Sequence, residues 1–178
     1  MERKNIDPHQ FATQPFTLFD KQWFLLTSGE FKRKRFNCMT ISWGSMGFMW
    51  DKPFFMAVVR PTRYTFEFMN DFDTFTLCAF SGQFRSALNL LGSRSGRDED
   101  KIAASGLTPI ASKIVDAPGY EEAELIIECK KMYWQDYDPD HFLNPSIMGK
   151  YPKKDYHRMF FGEILNISGT KSFIAGKG

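Results

Sequence analysis

No uninterrupted apolar run in this chain approaches the roughly 20 residues needed to cross a bilayer, so no membrane partner is expected. The opening "MERKNIDPHQ" carries charge, but no apolar stretch of signal-peptide length follows it, which predicts a cytoplasmic protein. Cysteine is scarce: Cys38, Cys78 and Cys129 lie far apart, with neither a CxxC pair nor histidine at metal-ligand spacing. That spacing argues against structural zinc and against a disulfide framework, and no metal site is expected. Net charge is only +2, too small for a general polyanion binder. The one basic cluster, Lys32 to Arg35, reads as a solvated hairpin end, so no nucleic-acid partner is expected. A Gly-x-Gly-x-x-Gly fingerprint after a strand is missing, so a separate Rossmann nicotinamide domain is not indicated. Neither a Ser-His-Asp nor a Cys-His signature occurs, although triads assemble in space and that absence weighs little.

What is present is bulk to bury. Of the 178 residues 43% are apolar, with 19 Phe and 4 Trp, which suits one substantial core and predicts a single domain over 1–178. "WFLLTSGEFKRKRFNCMTISW" has the form of a β-hairpin. "GSMGFMWDKP" reads as a wide turn, "FFMAVVR" as a buried strand, "YTFEFMND" as a short helix with Thr62 as N-cap, and "TFTLCAF" as a strand. "QFRSALNLLG" has helical spacing, and "DEDKIAASG" reads as a short helix ending at Gly106. "SKIVDAPGYEEAELIIECKKMYWQ" suggests two strands around "APGYEE", and "HRMFFGEILNIS" a last one. The sum, about six strands with a few short helices, favours a mainly β antiparallel barrel over a doubly wound α/β fold. The long polar connection "DYDPDHFLNPSIMGKYPKKDYHR" is expected to act as a lid, an arm or a contact with another subunit.

Three stretches carry chemistry. "RPTRYT", residues 60 to 65, leaves a buried strand and gathers guanidinium groups and hydroxyls at a helix start, where unpaired N–H groups and the helix dipole favour an anion. Arg60 or Arg63 would supply a planar fork for phosphate oxygens and Thr62 or Thr65 a hydroxyl donor; a capped helix with arginines paired to carboxylates accounts for many of the same features. Along "NCMTISW" alternation puts Asn37, Met39, Ile41 and Trp43 on one face and Cys38, Thr40 and Ser42 on the other. Such a surface suits a planar heteroaromatic ring, as it suits an ordinary amphipathic strand. "SGRDEDK", residues 95 to 101, forms a loop before a helix, with Asp98 as a possible cap. A lone histidine such as His157 is more often structural than catalytic.

Together these residues carry a resemblance. "NCMTISWGSMGFMWDKPFFMAVVRPTRYTFEFM", with "SGRDEDK" and the His-x4-Gly-x-Ile element of "DYHRMFFGEI", resembles the flavin reductase-like, flavoredoxin-type family of FMN-binding split barrels. The likeness runs in order through nearly the whole chain, with Cys38 in a slot where a small residue such as Ala is usual. It implies a six-stranded antiparallel split β-barrel that dimerises with FMN near the subunit interface. Asn37, Met39 and Thr40 would border the isoalloxazine, Ser42 and Trp43 would contribute to its pocket, and Arg60, Arg63 and Thr65 would surround the 5′-phosphate. Ser95, Lys101 and Arg158 would be further cofactor contacts, and His157 would orient a nicotinamide. The activity implied is an FMN-dependent oxidoreductase taking electrons from NADH, NADPH or a redox partner protein and passing them to a flavin, a protein or a small acceptor. An FMN electron carrier without efficient nicotinamide oxidation is the alternative.

Overall fold

A computed structural model describes residues 2–176. Its centre is a curled antiparallel sheet, preceded by the short β1 (Lys4–Asn5) and by α1 (Pro15–Thr17), which continues as a wider helical turn over Leu18–Gln22. β2 (Phe24–Glu30) and β3 (Arg35–Ile41) form the expected hairpin, in register from Phe24↔Ile41 to Glu30↔Arg35. The basic run sits at this turn, where Lys32 and Arg33 are exposed and Arg33 meets Glu30 at 3.3 Å.

β4 (Gly44–Met49) and β5 (Lys52–Val59) follow, then α2 (Tyr64–Asp71), β6 (Thr74–Ala79), α3 (Arg85–Ser93) and α4 (Lys101–Ser105). The short pair β7 (Pro109–Ile110) and β8 (Gly119–Tyr120) precedes the two long strands β9 (Leu125–Asp136) and β10 (Arg158–Gly169). The main sheet runs β3-β2-β6-β9-β10-β5-β4, with β1 added on β10. Every pairing in it is antiparallel. Among the described residues no helix is long and apolar enough to cross a membrane.

Alternation along the strands builds two cores. Phe24 and Leu26 of β2 turn inward with Met39, Phe55, Phe75, Ile127 and Phe160, so six strands feed one barrel interior. Leu25, Cys38 and Cys78 turn outward and are covered by Ala87, Leu88 and Leu91 of α3. The three cysteines are free and buried. Both faces of β3 are therefore covered, rather than one apolar and one small and polar.

Four local expectations are corrected. "GSMGFMWDKP" is mostly strand: β4 pairs with β5 through the tight turn Trp50–Asp51, both in the left-handed region at φ 54° and 58°. Its glycines serve packing, since a Cβ on Gly44 would lie 2.5 Å from the Met56 carbonyl oxygen. Of the two strands expected around "APGYEE" the first does not form, because residues 113 to 115 spend their N–H groups on the Glu128 carboxylate, at 3.2, 2.7 and 3.1 Å, instead of on a ladder. The N-cap of α2 is Arg63, not Thr62, and no side chain caps it. α4 is capped by Asp100 rather than Asp98, its carboxylate accepting from Ala103 N–H at 3.1 Å, and it ends as expected at left-handed Gly106.

Candidate functional site

β3 leaves the barrel at Ile41 and crosses to β4 through Ser42 and Trp43, close to where β5 ends at Val59 and where His157 precedes β10. The crossing leaves a cleft of about 220 Å³ lined by Met39, Thr40, Ser42, Trp43, Arg60 and His157. Thr40 is held from behind, its hydroxyl donating to the Leu88 carbonyl of α3 at 2.5 Å. Trp43 is 45% exposed, and its ring centroid lies 5.3 Å from that of His157. His157 is buried, with Nδ1 2.8 Å from the Tyr151 hydroxyl.

Burial, and then the charge of Arg60, pushes the His157 imidazole down to about 4, while Asp155 pulls it partly back. It is therefore neutral near pH 7 and acts as a hydrogen-bonding group rather than a cation. The depressed value has a consequence for stability. Above about pH 6.5 the imidazole is uncharged folded or unfolded; between 6.5 and 4 the unfolded chain takes up the proton first. Stability should fall as pH drops through that window, by up to about 2 kcal/mol from this group once its solvent-facing edge is allowed for. Denaturant titrations at pH 7.0 and 4.5 should show a smaller difference for His157→Gln than for the wild type; an equal difference would remove His157 as the cause.

A second, smaller pocket of about 130 Å³ opens at the start of α2, where Arg63, Thr65, Ser95 and Lys101 converge. Two sequence segments, 60 to 65 and 93 to 101, are brought together here by α2 and α3. Arg63 donates to the Gly92 carbonyl and Lys101 donates to the carbonyls of Leu91 and Arg94, at 2.9 and 3.1 Å. Lys101 is only 3% exposed, and among the described residues neither cation forms an ion pair with a carboxylate. Burial lowers the pKa of both; Arg60 lowers that of Arg63 further, while for Lys101 the push of Arg63 is opposed by Cys38 and Glu99. Two mutually repelling, partly desolvated cations form a place where an anion is favoured. The Thr65 hydroxyl accepts from Asn37 Nδ2 at 2.8 Å, which leaves its own proton to donate.

Not every expected residue joins these pockets. Asn37 lines neither: it ties β3 to Thr65 and lies against the 95–101 loop, where a Cβ on Gly96 would come within 2.4 Å of Asn37 Oδ1. Arg60 lines the cleft but is engaged, donating to Asp155 at 2.8 Å and to the Lys150 carbonyl at 2.8 Å with its guanidinium 4.9 Å from the Tyr151 ring centroid. It is thus not grouped with Arg63 and Thr65. Arg158 lies in neither pocket; it forks onto Asp136 at 2.7 and 2.8 Å, donates to Asn70 and stacks at 3.8 Å on Trp134. Neighbouring strand positions point to opposite faces, so His157 and Arg158 do not share a site.

Sequence reasoning missed Tyr151 and Asp155, which set His157 and Arg60, and the α3 carbonyls that hold Arg63 and Lys101. Tyr151 is an aromatic within the polar arm between β9 and β10. That arm, with short helical turns at Pro139–His141 and Pro145–Lys150, lies against Arg60 and His157.

The family model for the flavin reductase like domain matches residues 17–173. No curated protein matches the chain. Among solved structures, flavoredoxin of Desulfovibrio vulgaris (Miyazaki F) is 24% identical with a TM-score of 0.65, over 85% of this chain and 70% of that one. An FMN-binding domain of a flavin reductases-like enzyme from Shewanella baltica OS155 superposes with TM-score 0.69 at 15% identity, over 94% and 77% of the two chains. Nitrilotriacetate monooxygenase component B from Bacillus cereus does so with TM-score 0.66 at 15% identity, over 94% and 81%. At these identities the structural likeness is one of fold, and it agrees with the antiparallel split barrel read from the sequence. With the family model spanning most of its length, this chain belongs to the flavin reductase-like domain family.

Proposed function

We propose that residues 1–178 form one FMN-binding domain that takes electrons from NADH, NADPH or a redox partner protein and passes them to a flavin, a protein or a small acceptor in the cytoplasm. The observation that carries this reading is the pair Arg63 and Lys101, two partly desolvated cations without carboxylate partners among the described residues, with a cleft walled by Trp43 and His157 on the same end of the barrel. Arg63 and Lys101, with the Thr65 hydroxyl, would hold the 5′-phosphate. Met39 and Thr40, fixed by the Leu88 carbonyl, would give the ring a rigid edge, and Trp43 would close one end. Bound FMN would supply the electron transfer itself, so the chain needs no nucleophile or strong general acid. Neutral His157, with Nδ1 engaged by Tyr151, lines the cleft and would orient a nicotinamide or acceptor instead of protonating it.

The same reading includes a homodimer. A cleft of about 220 Å³ is small and open for a three-ring flavin, and a second copy would complete it. Exposed Trp50 and Tyr133, with centroids 6.0 Å apart and both packed against Phe161, supply an aromatic face for that contact.

The test is an absorption spectrum of the purified protein after loading with FMN and gel filtration, followed by anaerobic NADH or NADPH. Retained yellow colour with rapid bleaching is the expected result. Bleaching only by dithionite or by another protein identifies an electron carrier, and loss of all flavin on the column rejects the reading.

A further inference from the structure

We propose that a cavity at the start of α3 binds an apolar α-amino acid, with the ligand's carboxylate on Arg85 and Ser81 and its ammonium on Glu124. The cavity, about 430 Å³, shares no lining residue with the cleft of Trp43 and His157 or with the pocket of Arg63. It lies where the wider helical turn over Leu18–Gln22, the end of β6 and the first turn of α3 meet. That volume is within the range of small-molecule sites.

Two side-chain atoms single this cavity out. Among the described residues, Ser81 Oγ and Arg85 Nη1 are the buried side-chain polar atoms left without a hydrogen-bond partner, and both residues line it. Each unmade bond costs about 1 to 3 kcal/mol, more where the group is charged, so two of them at one cavity point to a ligand that supplies the acceptors. The Arg85 guanidinium is fixed in place, 3.7 Å from the Trp23 ring centroid and with Nη2 donating to the Lys21 carbonyl. Among the described residues no carboxylate pairs with it, whereas the nearby Lys21 ammonium is taken by Asp20 at 2.6 Å. A guanidinium held in one plane with a free edge, together with a hydroxyl donor, suits a carboxylate.

Glu124 supplies the opposite sign. Its backbone is held at both ends, the N–H donating to the Ala79 carbonyl at 2.8 Å and the carbonyl accepting from Thr170 N–H at 2.9 Å. Among the described residues its carboxylate accepts a single long bond, from Gln22 Nε2 at 3.4 Å, and so has room for an ammonium. One unpaired cation and one open carboxylate on the same walls repel a phosphate or a dianion from one side and favour a ligand carrying both charges. Phe80 and Leu88, both buried, add an apolar wall for an aliphatic side chain.

The experiment is isothermal titration of the full-length protein with L-leucine, with isocaproate, which lacks the amino group, and with isoamylamine, which lacks the carboxylate. Leucine should bind at least about tenfold tighter than either analogue, because each analogue forfeits one charge-assisted contact. Arg85→Met, which keeps a stem over Trp23, should lose leucine about tenfold, and Glu124→Gln should bring leucine down to the level of isocaproate. Ser81→Ala separates a ligand site from a structural one: it removes a buried hydroxyl that bonds to nothing, so it should weaken leucine about fivefold while the melting temperature of the free protein stays level or rises. Equal binding of leucine and isocaproate, unchanged affinity in Ser81→Ala and Glu124→Gln, or no leucine binding by wild type up to about 10 mM overturns the inference. All of these readouts are independent of flavin, so the FMN reading stands or falls separately.

Discussion

Replacing Arg63 with alanine is expected to weaken FMN binding about a hundredfold while changing riboflavin binding less than about threefold, because a charge-assisted fork to phosphate is worth about 2 to 3 kcal/mol. Arg63 is the better probe of the two cations. Arg63 holds one α3 carbonyl, that of Gly92, whereas the nearly fully buried Lys101 holds two, those of Leu91 and Arg94, so its removal would disturb the helix end more. Thr65→Ala is confounded in the same way, since it would strand the buried Asn37 amide that now donates to the Thr65 hydroxyl. Arg63→Lys keeps the charge and loses the planar fork, so it should recover part of the FMN affinity, and that recovery should diminish with added salt. Parallel titrations of the two flavins decide the matter. Equal losses for FMN and riboflavin would place Arg63 among structural residues and leave the phosphate without its proposed anchor.

The elements legible in the sequence are those whose pattern is local. The β2–β3 hairpin announces itself by two apolar stretches around a polar turn, and α3 by its spacing, with Ala87, Leu88 and Leu91 on the buried side as the period requires. β4 is hidden because Gly44 and Gly47 look like turn residues but serve close approach to β5, while the actual turn puts Trp50, a residue that rarely adopts positive φ, beside Asp51. The candidate site divides along the same line. Motif resemblance named Arg63, Thr65, Ser95 and Lys101, and the fold brings these four into one pocket. It also named Arg60 and Arg158, whose partners Asp155 and Asp136 are set by tertiary contact and by strand pairing, information that no spacing near the arginines contains. Tyr151 belongs with them: its link to His157 exists only because the polar arm folds back over the barrel end.

Gly162→Ala should lower stability by about 3 kcal/mol and the melting temperature by about 10 °C. Gly162 is the glycine of the His-x4-Gly-x-Ile element, and its meaning is steric. It faces Phe55 on β5 and Lys131 on β9 at a register shift of the β9–β10 ladder. A Cβ there would lie 2.5 Å from Cζ and 2.6 Å from Cε1 of Phe75, and 2.9 Å from Cβ of Cys129. Phe75 and Cys129 are fully buried, so the ring has no solvent to swing into and the strand itself must move. Because β10 begins directly after His157, displacing it would also shift the imidazole against Trp43, and weaker flavin retention should accompany the thermal loss. Gly82→Ala is the matched control: no atom lies within 4 Å of its Cβ position, and its melting temperature should stay at the wild-type value. Thermal denaturation of both variants with and without FMN separates the outcomes. A Gly162→Ala protein that melts with the wild type would mean that the barrel interior accommodates the methyl group and that the glycine serves some purpose other than close packing.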